Sequence, residues 1–131
     1  MGASSSAAQQ LVDKVRSIKT AIANLGEMMP GSLVERFRRC GKPNCHCAKK
    51  GERGHGPTLV ITREVQGRTI TKTVPHSAGP QVRAATEEYK HFRELVRDLV
   101  ESSERLGDLR LQQASEDETI KKNRARGQLR Q

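Results

Sequence analysis

Three thiols and two imidazoles fall within sixteen residues, in Cys40-Gly-Lys-Pro-Asn-Cys45-His46-Cys47 and then His55-Gly-Pro. A stretch this rich in glycine and proline makes a poor helix or strand, but it can fold around an ion. Three thiolates and one neutral imidazole at about 2.0 to 2.3 Å complete a tetrahedral zinc site with no position left for water, so the role implied is structural. Cys40, Cys45 and Cys47 supply the thiolates. His55 is favoured as the fourth ligand because it returns just before a strand, where a cross-link would tie that strand to the one before the loop. His46, flanked on both sides by ligands, is expected to turn its ring away, and His76 is a more distant candidate. The spacing, four residues and then one, departs from the paired two-residue knuckles of standard zinc ribbons. Free cysteines usually sit in apolar segments, and Gly41, Lys42, Pro43 and Asn44 are not apolar. Three is also an odd number, which fits reduced ligands better than a secreted disulfide framework.

On either side of this loop the hydrophobic periodicity changes character. Leu11, Val15, Ile18, Ile22, Leu25 and Met29 alternate steps of four and three, a heptad stripe that Pro30-Gly31 should end. Ser32 to Arg39 reads as a strand with Leu33 and Phe37 on one face. Thr58 to Val65 and Arg68 to Val74 read as two more, joined at Gln66-Gly67, where Gly67 can take the positive φ of a tight hairpin turn. With Val65 opposite Arg68, one face carries Leu59, Ile61, Val65, Ile70 and Val74. The other carries Thr62, Glu64, Thr69, Thr71 and Thr73. After the turn at Ser77 to Pro80, a second stripe follows at Val82, Ala85, Tyr89, Phe92, Val96, Leu99 and Leu106, with polar Ser103 at one position. Its outer face, with Glu87, Lys90, Glu94 and Arg97, is an ordinary solvated surface.

The expected fold is therefore α+β: an N-terminal heptad helix over residues 1–30, a zinc-stapled three-stranded antiparallel module over 31–79 and a long helix over 80–111. The basic tail over 112–131 has almost nothing to bury and is expected to be disordered when free. With 34% hydrophobic residues and only Phe37, Tyr89 and Phe92 as aromatics, burial alone leaves such a module marginal, so helix pairing, a metal or a partner must add stability.

A net charge of +9 and a pI near 10.0 point to a polyanionic partner. The excess is local. From Arg36 to His55 stand seven cations, Arg36, Arg38, Arg39, Lys42, Lys49, Lys50 and Arg53, against the single acid Glu52, a balance of +6. The last eleven residues hold Lys121, Lys122, Arg124, Arg126 and Arg130 with no acid. These, with Arg63, Arg68 and Lys72 on the hairpin, are the expected phosphate and groove contacts. The aromatics all fall on core stripes, which argues against stacking on single strands. Duplex DNA is the favoured partner, structured RNA the second. A catalytic cysteine would need an oriented base and an oxyanion site in a cleft, and so small a chain offers neither, so no enzyme activity and no small-molecule substrate are expected. No stretch is apolar enough to span a bilayer and no signal peptide is evident, so the expected location is cytoplasmic, on the nucleoid.

The run from Gly31 through Cys40-Gly-Lys-Pro-Asn-Cys-His-Cys to Gly54-His-Gly-Pro, with the hairpin, Val74-Pro75 and the charged helix, resembles a widespread prokaryotic family of small proteins without assigned function. The resemblance covers roughly residues 31–110 and implies an accessory role beside transposases and other mobile-element proteins. Members usually carry aromatics after the His-Gly-Pro, where this chain has Thr58-Leu-Val. The helices leave open whether the chain pairs with itself or docks on a helical partner. The rival function is an assembly adaptor working through those helices.

Overall fold

The computed structural model describes residues 3–52 and 54–129, with only the backbone at 3–5, 128 and 129. Its order is α1 (Ala3–Ala23), β1 (Ser32–Arg38), β2 (His55–Val65), β3 (Arg68–Val74) and α2 (Gly79–Leu129), an α+β fold with a three-stranded antiparallel sheet in the order β1-β2-β3. The chain divides into two compact units. One is Leu25–Phe92, and the other joins α1 to α2 from Arg93 onward.

In the first of these units, Val65 pairs with Arg68 across a turn whose Gln66 and Gly67 have φ of 52° and 78°. Two successive positive φ values give a turn whose twist matches that of the flanking strands, so the hairpin closes in register. Alternation then puts Leu59, Ile61 and Val74 on one face, where they form a buried cluster with Val82 from the first turns of α2. Met29, Leu33 and Ala78 pack on its margin. The opposite face carries Ser32, Val34 and Arg36 from β1, Thr58, Val60, Thr62 and Glu64 from β2, and Thr69, Thr71 and Thr73 from β3.

Two expectations fail here for physical reasons. The register of β1 on β2 shifts between Arg36 and Arg38, so Phe37 does not share Leu33's place in the cluster and is 39% exposed. And α1 ends at Ala23, well before Met29. From Leu25 the chain is held differently: the Gly26 N–H donates to Glu88 Oε2 at 2.8 Å and the Met29 N–H to the Ala85 carbonyl at 3.0 Å. Met29 is apolar because it covers the sheet cluster, so the helical spacing of the sequence continued where the helix did not.

In the other unit, Ala8, Ile18 and Ser102 are buried, at 3%, 8% and 2% exposure. The sheltered stripe of α2 in this unit runs through Leu95 and Val96, then Leu99, Ser102, Leu106 and Leu109, in heptad steps. The polar position in it is Ser102, while Ser103, expected there, is exposed. The helix also continues through the segment expected to be a disordered tail, as far as Leu129, although every described side chain from 114 to 127 is exposed. Among the described residues, no helix is long and apolar enough to cross a membrane.

Candidate metal centre

Pairing of Arg36 with Thr58 and of Arg38 with His55 brings the end of β1 beside the start of β2, and the loop 39–54 must close over that short gap. The glycines around His55 permit the approach. A Cβ on Gly54 would lie on the backbone of Arg38, and one on Gly56, at φ +147°, would come within 2.6 Å of the Arg36 carbonyl oxygen. With side chains there, β2 could not begin this early, and His55 would stand off from the loop.

Within the loop, tight turns fold the thiols inward. The Cys45 N–H donates to the Lys42 carbonyl at 3.2 Å, and a single turn of 3-10 helix at His46–Ala48 follows, with the Ala48 N–H on the Cys45 carbonyl at 3.0 Å. Cys47 is thereby fully buried, Cys45 partly so, and Cys40 exposed. The Sγ atoms of Cys40 and Cys47 lie 3.5 Å apart, and Cys45 Sγ is 3.0 Å from His55 Nε2. One donor atom each from Cys40, Cys45, Cys47 and His55 can be chosen so that all four lie within 4.8 Å of one another. Tetrahedral bonds of about 2.0 to 2.3 Å separate neighbouring donors by roughly 3.3 to 3.8 Å, so these four need move little to hold one ion. The donor set is thus compatible with a metal site. His46 sits beside it, with Nδ1 3.8 Å from Cys45 Sγ and its ring edge-on to that of His55, centroids 5.2 Å apart. His76 is in the turn before α2, away from the cluster, lining a surface cleft with Glu35 and Arg83.

The thiols differ electrostatically. The backbone of Lys42 hydrogen-bonds Cys40, and with Cys47 and His55 it lowers the Cys40 pKa to about 6. At Cys47 the Cys40 N–H donates to Sγ at 3.4 Å and pulls the thiol down, but burial and the neighbouring Cys40 and Cys45 sulfurs outweigh it, and the net shift is upward.

The expected basic contacts separate into three places. Arg36, Arg38, Arg39, Lys42, Lys49 and Lys50 are all exposed around the metal loop, and among the described residues none is in an ion pair. Arg53 lies outside the described residues. Arg63, Arg68 and Lys72 lie on the hairpin face that carries the buried cluster. Arg63 and Lys72 line a groove of about 290 Å³ there with Met29, Pro30, Ile61 and Ile70. Lys121, Lys122, Arg124 and Arg126 are exposed on the last turns of α2, in the other unit. The contact of the His46 and His55 rings had no signal in the sequence.

An α+β unit whose β1–β2 connection gathers three thiols and an imidazole, with exposed cations around them, defines a small sheet module compatible with a metal. Residues 8–84 match the family model described as a domain of unknown function, DUF6788, and the chain belongs to that family. The match takes in most of α1 and the sheet and stops in the early turns of α2, so α1, outside the resemblance seen in the sequence, is part of the family's domain. No curated protein and no solved structure matches the chain.

Proposed function

We propose that this chain is a zinc-stapled nucleic-acid-binding protein, with duplex DNA as its first partner and structured RNA as its second, and that it serves as a non-catalytic accessory or regulatory factor of a larger machine, of the transposition or recombination kind. The observation that carries this reading is the coincidence of two features in one loop: four S and N donors close enough to share an ion, and six exposed cations around them. Sulfur-rich tetrahedral donor sets favour zinc among the common divalent ions. A fully protein-ligated ion leaves no position for water, so its work is to brace the loop. A braced loop holds its arginines and lysines in fixed relation to a phosphate backbone, which lowers the entropy lost on binding. This reading places the protein in the cytoplasm, on the nucleoid.

Salt tests the proposal. Six phosphate contacts predict that affinity for duplex DNA falls about 10³-fold between about 50 and 200 mM salt. Replacing Arg36, Arg38 and Arg39 with alanine should flatten the slope of log K against log salt by roughly 2 to 3. Binding that ignores salt, or that survives the triple replacement unchanged, would overturn the reading. Competition with structured RNA ranks the two nucleic acids. The exposed end of α2, with Leu111 71% and Ile120 50% exposed, favours a second reading in which a helical partner or a second copy docks there. Association that needs residues 111–129 and is indifferent to the metal loop would select it.

A further inference from the structure

The sheet offers a partner two unlike faces. One is closed by Val82 and Met29 over Leu59, Ile61 and Val74. On the other, Ser32, Val34, Arg36, Thr58, Glu64, Thr69, Thr71 and Thr73 are all exposed, and only Val60 and Thr62 near its centre are sheltered. The pairing arranges this open face in rows across the strands: Arg36 with Thr58, then Val34, Val60 and Thr73, then Ser32, Thr62 and Thr71, and last Glu64 with Thr69. Its charge is graded along the strands. Arg36 marks the end that continues into Arg38, Arg39 and the metal loop, and Glu64 marks the hairpin end.

We infer that this hydroxyl face, at its metal-loop end, is the surface that lies against duplex nucleic acid, with threonines of β2 and β3 meeting base edges and Arg36 meeting a phosphate. The inference rests on the nucleic-acid reading above and goes further, because it names the contact surface and turns away from the hairpin arginines. A two-stranded ribbon fits the roughly 12 Å major groove. In that pose β2 and β3 present Thr58, Thr62, Thr71 and Thr73 inward while β1 runs along the rim. A threonine hydroxyl donates or accepts, and its methyl packs against that of thymine, so one residue type serves every base pair. The face suits a second protein chain poorly. Its exposed large apolar residue is Val34, at 38%, too little to drive association by burial. Its complement is a polar, anionic surface, and the adjoining loop supplies the positive charge that would draw one in.

The experiment uses the full-length, zinc-loaded chain and a fluorescent duplex of random sequence, read by anisotropy at low salt. The pair Thr71→Glu with Thr73→Glu changes the net charge by two, as does the pair Arg83→Gln with Lys90→Gln on the first half of α2. Because long-range attraction to polyanions depends on net charge, a nonspecific field would be weakened alike by both. The inference expects the threonine pair to lose more than about tenfold in affinity and the helix pair less than about threefold. Equal losses overturn it. Methyl resonances of the native chain give a second measurement that needs no variant. On adding the duplex, Thr62, Thr71 and Thr73 should shift while Ile61 and Ile70 stay in place, and the reverse pattern overturns the inference even if the glutamate variants do not fold. Should the unaltered chain fail to bind any duplex, the proposed function falls and this surface with it. Should the chain bind with steep salt dependence and these tests fail, the surface alone is wrong.

Discussion

Cys47 is the donor that the fold hides from water completely, and Cys40 the one that its surroundings favour as thiolate. Each thiolate taken up by an ion must shed its proton, so metal affinity follows pH. With Cys40 near pKa 6 and Cys47 shifted upward, zinc binding at about pH 7 should expel the Cys47 proton, while Cys40 is already largely ionised. The sign follows: affinity rises with pH, and it should fall off more steeply below about pH 6, where Cys40 too must shed a proton to bind. A zinc indicator followed across that range checks it. Stoichiometry separates ligand from neighbour. Cys45→Ser should remove about one equivalent of zinc and loosen β1 from β2, since structural zinc contributes folding free energy directly. His46→Ala should keep the ion, because the four donors that lie within 4.8 Å of one another are those of Cys40, Cys45, Cys47 and His55, and His46 stands outside that set. Elemental analysis of untagged protein decides both. If His46→Ala loses the ion and His55→Ala keeps it, the fourth ligand has been misassigned.

At the scale of elements, sequence periodicity reported burial faithfully and conformation less so. The heptad spacing of α1 ran on through Leu25 and Met29, but those residues serve the sheet unit, and the helix had already ended at Ala23. The apolar positions read for the stripe of α2, Val82, Ala85, Tyr89, Phe92, Val96, Leu99 and Leu106, are all sheltered, but its polar position was misplaced by one residue. Leu95 and Val96 are both half-buried, and only at the next turn does packing choose, taking Ser102 inside and leaving Ser103 exposed. That selection is testable. Ser102, at 2% exposure, is enclosed by its neighbours, so Ser102→Leu is expected to cost about 1 to 3 kcal/mol by overpacking. Ser103→Leu, on the exposed face, should change stability by less than about 0.5 kcal/mol. Denaturant unfolding distinguishes them, and equal costs would contradict the observed phase. The hairpin was the most legible element, since a turn at Gln66-Gly67 and the pleat together determine which face each residue takes.

For the whole molecule, the two units draw stability from different sources. Leu25–Phe92 buries a small cluster around Leu59, Ile61, Val74 and Val82, too few side chains to leave much margin over chain entropy. The helical unit contains none of the four donors. Chelation is therefore expected to collapse the dispersed amide resonances of 55–74 while those of 6–23 persist. An unchanged spectrum after complete metal removal would show that the sheet needs no ion. From the sequence alone came the α+β order, the hairpin register, the four donors and the concentration of charge around them. These depend on spacing of two or three and a half residues, on turn chemistry and on residue type, all of which are local. The early end of α1, the break at Phe37 and the buried Ser102 depended on the tertiary structure. Each turns on which distant segment lies against which, and that is settled by close packing among residues far apart in the chain, for which a single sequence carries no local mark.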